Sequence, residues 1–291
     1  MLTILFDGIA YGMLLFVLAI GLSVTLGLMN FINLAHGAFA MVGGYVTVLL
    51  MQHYNVPFLI CLPIAFVVAA AIGAVLERTL YRPMYDRPAL DQVLFSIGLV
   101  FIAVAATDFA VGSSEQIIQL PHWLNGRSEF QIGPYVLGMG HYRLLIILIC
   151  VVLTVLLQYG LDRTRFGSQL RAAVDDQKVA DGLGINVNIV FLSTFALGSG
   201  LAGLGGALGA EVLGLDPTFP FKFMIYFLIV VALGGTSSLT GPLLAALLLG
   251  VADVAGKYYV PKLGSFIVYI VMIMILLWRP HGLFVSKGTK S

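Results

Sequence analysis

LDRTRFGSQLRAAVDDQKVADGLGIN, residues Leu161–Asn186, is a charged island between two long apolar runs, Tyr142–Leu161 and Val187–Ala210. It sets Arg163, Arg165, Arg171 and Lys178 against Asp162, Asp175, Asp176 and Asp181. Each flanking run reaches the roughly 20 apolar residues that a helix needs to cross a hydrocarbon core, so the island is the watery turn between two membrane passes. Ser168–Leu183 reads as one amphipathic helix, with Leu170, Val174, Val179 and Leu183 as its apolar stripe. Gly182 and Gly184 bracket its end, and glycine just past the last turn is a common C-terminal cap. Two readings follow: a solvated connection, or a surface offered to a soluble partner.

Composition extends the membrane reading to the whole chain. Hydrophobic residues make up 60% and charged residues only 10%, whereas soluble domains carry about 25% charged residues. So few charges cannot cover a globule of this size with polar surface. The net charge of +1 argues against a nucleic-acid partner. Cys61 and Cys150 lie inside apolar runs and read as small core residues. The first apolar run lacks the basic region and cleavage site of a signal peptide and reads as a retained span.

Further spans are expected at Pro57–Leu80, Val93–Gly112 and Leu263–Trp278. Two regions are less simple: residues 4–51, interrupted at Met29–Gly37, and residues 223–256, interrupted at Gly234–Pro242. If both are hairpins, the chain is an all-α polytopic bundle of about eight to nine spans in a single transmembrane domain, with two broken or re-entrant hairpins. Residues 113–141 form an outer loop, expected to be a short amphipathic cap with Trp123 and Tyr135 as interfacial aromatics. Lys and Arg in short loops set orientation. Arg78, Arg82 and Arg87, the island, and Arg279, Lys287 and Lys290 alternate onto one side, which is then cytoplasmic. The N-terminus lies outside and the C-terminus inside.

The two interruptions are the clue to a pathway. Unwound segments near the bilayer midplane are tolerated where they face protein or water, and transporters build sites from them. The first is Gly27–Gly37, with Asn30, Asn33 and His36; the second is Leu233–Pro242, with Gly234, Gly235 and Thr236. Asn33 is expected to cap a helix starting at Leu34, and Thr240 one containing Pro242 in its first turn. Free N–H groups at such helix starts suit a carboxylate or carbonyl. The alternative is that these polar residues only satisfy unwound backbone. No Cys, Asp or Glu stands at ligand spacing from His36, so no metal is expected. Gly198, Ala202, Gly206, Ala210 and Gly214, with Ser199, Gly203 and Ala207 beside them, give small-residue spacing that suits close packing in the bundle or a dimer contact. Asp108 and Asp253 are ionisable groups near the ends of apolar runs, where they read as hydrated interfacial carboxylates, with an intramembrane functional group as the sharper alternative; Glu77 beside Arg78 reads as part of the loop charges.

There is no P-loop, HExxH or GxSxG motif, so the chain is no enzyme and has no ATP site of its own. At this point a resemblance enters. The run Asn30-Phe31-Ile32-Asn33-Leu34-Ala35-His36-Gly37 resembles the N-F-A-H-G stretch of branched-chain amino acid ABC permeases. Glu77-Arg78 with Tyr81-Arg82-Pro83, Arg171-Ala172 through Asn186, Leu233-Gly234-Gly235 with Gly241, and Arg279-Pro280 with Gly282 resemble the same family. The resemblance implies the shorter of two paired permeases in a bacterial inner-membrane importer. Its implied partners are a second permease, two ATP-binding cassette subunits that hold the ATP, and a periplasmic substrate-binding protein. Arg171, Asp175, Asp176 and Gly184 would then meet an ATPase, while Asn30, Asn33, His36, Gly234, Gly235 and Thr236 line or shape the path.

Two departures stand out. Val104-Ala105 occupies a position where the family often has Gln-Asn, and Tyr226 one where it often has Lys. The family also includes permeases for urea, short amides and small organic acids. From the residues alone, a self-sufficient secondary transporter using Asp108 or Asp253 is a rival reading.

Overall fold

The computed structural model describes residues 1–29, 31–132, 135–235 and 238–279. Its centre is α8 (Val187–Leu213), whose small residues let three other helices approach to backbone contact. These are α1 (Leu2–Met29), α2 (His36–Tyr54) and α3 (Phe58–Leu76). Gly198 faces Gly21 of α1, Gly203 faces Gly43 of α2 and Ala69 of α3, and Gly206 faces Ala40 of α2. A Cβ on Gly206 would overlap the Ala40 carbonyl, and one on Gly43 would overlap the backbone of Gly203. Lipid is as apolar as leucine and gives no hydrophobic drive between helices, so attraction here comes from close packing. The small-residue row thus serves the inside of the bundle.

Around this centre lie α4 (Ala89–Val111), α5 (His141–Arg163), α9 (Phe219–Gly234), α10 (Thr240–Tyr259) and α11 (Gly264–Trp278). Helices α4 and α5 leave Phe101, Phe109, Leu148 and Leu156 exposed. An apolar surface of that extent belongs against lipid or another membrane subunit. The molecule is a multi-pass helical membrane protein. Among the described residues, six helices are long and apolar enough to cross a membrane, not eight or nine. The physical reason is length and polarity. The 16 residues of α9 and 15 of α11 reach only ~24 and ~23 Å at 1.5 Å per residue. Helix α2 carries Gly43, Gly44, Thr47, Gln52 and His53 and is too polar to count.

The loop over residues 113–141, expected as a short amphipathic cap, contains strands. It folds as an antiparallel hairpin of β1 (Arg127–Ile132) and β2 (Tyr135–Gly140), the one departure from an all-α chain among the described residues. An open-edged hairpin is permitted because it lies outside the hydrocarbon, where water completes its edges. His141 fastens it: Nδ1 donates to the Trp123 carbonyl at 3.0 Å, leaving Nε2 to accept from the Ser128 hydroxyl at 2.8 Å. Gly138 N–H donates to Thr3 Oγ1, so the hairpin covers the N-terminal end of α1.

The island is two helices, not one. Helix α6 (Arg165–Asp175) ends at Asp176, whose side chain accepts from the N–H groups of Lys178 and Val179 and starts α7 (Gln177–Gly182). An aspartate that caps the backbone in this way competes with helix continuation. Gly184 closes α7 as expected. It has φ +83°, donates to Asp181, and is followed by an Ile185 N–H donating to Ala180. That pair of bonds is the Schellman cap. Asn186 then caps α8 through Ile189 N–H, so island and central helix are joined without slack.

Replacing Gly206 with Leu should cost about 1–3 kcal/mol or more through overpacking and lower the melting temperature in detergent. Gly98→Leu, where an added Cβ meets nothing within 4 Å, should leave it unchanged.

Candidate functional site

The first interruption is non-helical backbone held inside the bundle. Helix α1 ends at Met29 and α2 begins at His36. His36 Nε2 lies 2.8 Å from the carbonyl of Leu18, which places the start of α2 ~16 Å back from the end of α1. A carbonyl only accepts, so Nε2 carries the proton. Segment 31–35 therefore climbs through protein, and each freed backbone group needs a partner. Ile32 N–H donates to Gln92 Oε1, and Ser96 Oγ donates to the Ile32 carbonyl. Asn33 Oδ1 accepts from Ala35 N–H at 3.1 Å and from the Tyr81 hydroxyl at 3.0 Å. Asn33 thus does not cap a helix at Leu34; its side chain turns the chain two residues ahead of α2, whose first residue is His36.

Aromatic rings close the space around this segment. Phe31 meets Tyr81 and Tyr85 edge-on at 5.3 and 5.7 Å, and Tyr81 packs on Phe195 at 4.5 Å. Tyr81 sits in a π-helical turn, Glu77–Tyr81, that continues α3. Such turns re-aim side chains and concentrate at functional sites. Glu77 in that turn is buried and accepts from the Tyr85 hydroxyl at 2.9 Å, so it belongs to this cluster and not to a solvated loop.

The second interruption lies between α9 and α10. A Cβ on Gly234 would overlap Pro242, and Gly235 has φ +76°, so this turn is built for glycine. Thr240 is the first residue of α10 and not its cap; Ser238 Oγ accepts from Gly241 N–H at 3.4 Å instead. Gly8 faces Val251 and Gly12 faces Leu247, so α10 runs antiparallel to α1. Extending that register puts Thr240 beside about residue 19 of α1, ~15 Å short of Met29. The α9–α10 hairpin thus turns back at the height where His36 meets Leu18.

Of the residues expected to shape a path, Asn30 and Thr236 lie outside the described residues. Asn33 and His36 are 1% and 2% exposed. They share the first interruption, and Phe227 of α9, packed edge-on to His36 at 6.2 Å, links them to the helix that ends at Gly234 and Gly235. Tyr226 packs between Phe223 and Tyr269, and Val104-Ala105 lies on peripheral α4. Sequence reading missed Gln92, Ser96 and the hydroxyl of Tyr81. The signal was present for the first two, since both are polar residues opening an apolar helix.

On the island, Arg171 donates to the Leu161 carbonyl and folds α6 back onto the end of α5. Asp176 is spent on the cap of α7, and Asp175 and Gly184 are exposed. Leu170, Ala173 and Ala180 face inward. Val174, Val179 and Leu183 face outward, Leu183 at 74% exposure.

The family described as branched-chain amino acid transport system, permease component, matches residues 4–276. The chain belongs to this family. It is 31% identical to the high-affinity branched-chain amino acid transport system permease protein BraD of Pseudomonas aeruginosa, covering 96% of this chain and 94% of that one. LivH of Escherichia coli K12, a permease protein of the same description, is 27% identical over the same shares. LivM of that strain is 28% identical over 93% of this chain but 68% of its own length. The permease thus covers 94% of BraD and of LivH and a smaller share of LivM. No solved structure matches it.

In this permease, Tyr81→Phe should cost about 1 kcal/mol, one net hydrogen bond, whereas Asn33→Ala should cost more, about 1–3 kcal/mol for each buried donor left unpaired. Thermal unfolding of the detergent-solubilised protein measures both, and the order should be Asn33→Ala less stable than Tyr81→Phe.

Proposed function

We propose that this chain is a membrane-spanning subunit of an ATP-driven importer that translocates branched-chain or related aliphatic amino acids. It sits in the bacterial inner membrane with the β-hairpin end outside and the island end in the cytoplasm. A second permease of the family covers the apolar faces of α4 and α5, and a periplasmic binding protein delivers substrate to the hairpin end. Two ATP-binding cassette subunits supply the energy, since this chain has no ATP site. Asn30, Asn33, His36, Gly234, Gly235 and Thr236 shape the translocation path where the two interruptions reach one height. The first interruption is closed by its aromatic cluster in this state, and transport opens the path by moving α9–α10 against α1–α2.

The observation that carries this reading is the island's outer face. Val174, Val179 and Leu183 are exposed on a short, doubly capped helix pair. Asp175, Asp181 and Lys178 flank them. An apolar patch ringed by charges of both signs suits a soluble protein partner, and the rigid Asn186 junction passes its displacement into α8. A flexible loop could not do this.

Two measurements test it. Gentle solubilisation of the tagged protein should recover a second permease and ATP-binding subunits; a clean homo-oligomer without an ATPase would contradict the proposal. Gly184→Val forces a β-branched residue into a positive φ, so α7 loses its cap although no neighbour is touched. Uptake by that variant should fall about tenfold or more while the amount in the membrane stays normal, and full uptake would remove the island from the coupling role.

A further inference from the structure

The ion pairs at the hairpin end of the bundle line a cavity apart from the two interruptions. A space of about 220 Å³ lies between α1, α5, α8 and α10. Asp7 of α1 sits against Arg143 of α5, outside hydrogen-bonding geometry. Asp253 of α10 pairs with Lys257 through Oδ2 at 2.6 Å. Lys257 also lies over the Tyr11 ring, 5.6 Å from its centre. Asp253 is 1% exposed, so it is not the hydrated interfacial carboxylate that its place in the sequence suggests; Asp108, in contrast, is exposed. Its second oxygen, Oδ1, is buried and has no hydrogen-bond partner among the described residues. A buried carboxylate oxygen without a donor is costly, and it marks a place where a donor belongs.

The cavity offers the three features of one kind of ligand. Asp253 Oδ1 is an empty acceptor for an ammonium. Arg143 and Lys257 are each about half exposed and retain donors for an anion. Leu14, Ile146, Val212 and Val254 give aliphatic walls. The volume is below the several hundred Å³ of a drug-sized site and suits a small molecule. Arg143 and Val212 also wall a second cavity of about 400 Å³ beneath the hairpin, so the site has an approach from that end.

We infer that this pocket binds a primary ammonium beside an anion, with an aliphatic group between its walls: an entry subsite for a free aliphatic amino acid. The inference rests on the importer reading and adds a residue-level binding site to it. Phosphatidylethanolamine carries the same ammonium-and-anion pair and is the other source of that chemistry.

The test uses the membrane complex of the permeases and ATP-binding subunits, reconstituted in phosphatidylcholine, whose quaternary ammonium has no N–H to donate; the substrate-binding protein, which would hold leucine itself, is left out of the binding assay and added only for uptake. Binding of radiolabelled leucine is measured without ATP. Competitors are 4-methylpentanoate, which lacks the amine, and isopentylamine, which lacks the carboxylate. Leucine should bind saturably and both analogues should compete at least about tenfold more weakly, the effect of one lost charge-assisted contact. Asp253→Asn should weaken leucine binding by about tenfold and raise the KM for uptake with little change in maximal rate. The double variant Asp253→Asn with Lys257→Gln removes both charges and leaves neither buried alone; it should show the same loss while still co-purifying with its partners.

If leucine does not bind but phosphatidylethanolamine is retained by the parent complex and lost from the variant, the ligand is the headgroup and the amino-acid assignment is overturned. Analogues that compete as well as leucine overturn the site whatever the variants do. Unchanged binding and KM in a folded variant overturn it while leaving the importer reading intact. Absence of ATP-driven leucine uptake by the parent complex fails the importer reading itself.

Discussion

Backbone-to-backbone contact along α8 is the constraint on which the other helices depend. In lipid, burying leucine gains nothing over leaving it in the bilayer, so a helix pair holds together by how closely it fits. Gly198, Gly203 and Gly206 bring α1, α2 and α3 onto α8 so closely that their backbones touch. The same helix begins at the Asn186 cap, directly after the Schellman turn of the island. A push on α7 is therefore delivered to α8 and, through glycine contacts that cannot slide without overlap, to the helices around it. On the proposed function, packing and coupling are one feature seen at two scales.

The second constraint is the cost of unwound backbone in an interior without water. The first interruption meets it with side chains from distant elements: Gln92 and Ser96 from α4, Tyr81 from the π-helical turn, and Asn33 from the segment itself. A segment held by individual side-chain bonds can exchange partners more readily than an α-helix, whose bonds form one cooperative ladder. The aromatic ring cluster of Phe31, Tyr81, Tyr85 and Phe195 keeps it dry meanwhile. At the α9–α10 hairpin, glycine sets the bend at Gly234, against Pro242, and at Gly235, with its positive φ, and α10 starts at mid-height.

Much of this was legible in the residues. Apolar runs long enough to span gave the membrane class, and fourfold spacing of small residues gave the inner packing of α8, because both are local patterns with one physical meaning. Gly184 as a helix end was legible for the same reason. What failed depended on contacts far apart in sequence or on where each helix starts and stops. Asn33 looked like a cap because asparagine before a helix usually is one, but its oxygen is shared with Tyr81, 48 residues away. Asp176 broke the island helix by bonding its own neighbours, an outcome that the apolar stripe concealed. The span count failed because α9 and α11 are too short by a few residues each and α2 is too polar, and an apolar run read by eye measures neither where a helix stops nor how polar it is. Asp253 looked hydrated because only the folded chain shows how closely α1 packs on α10 beside it.

The central claim is that this chain works as the membrane part of an ATP-driven machine. The most direct measurement is leucine uptake by proteoliposomes holding the co-purified complex and its binding protein, with ATP supplied on the cytoplasmic side and every ion gradient collapsed. The account predicts accumulation that requires ATP and persists without a proton or sodium gradient. Accumulation that ignores ATP and follows an ion gradient would contradict it.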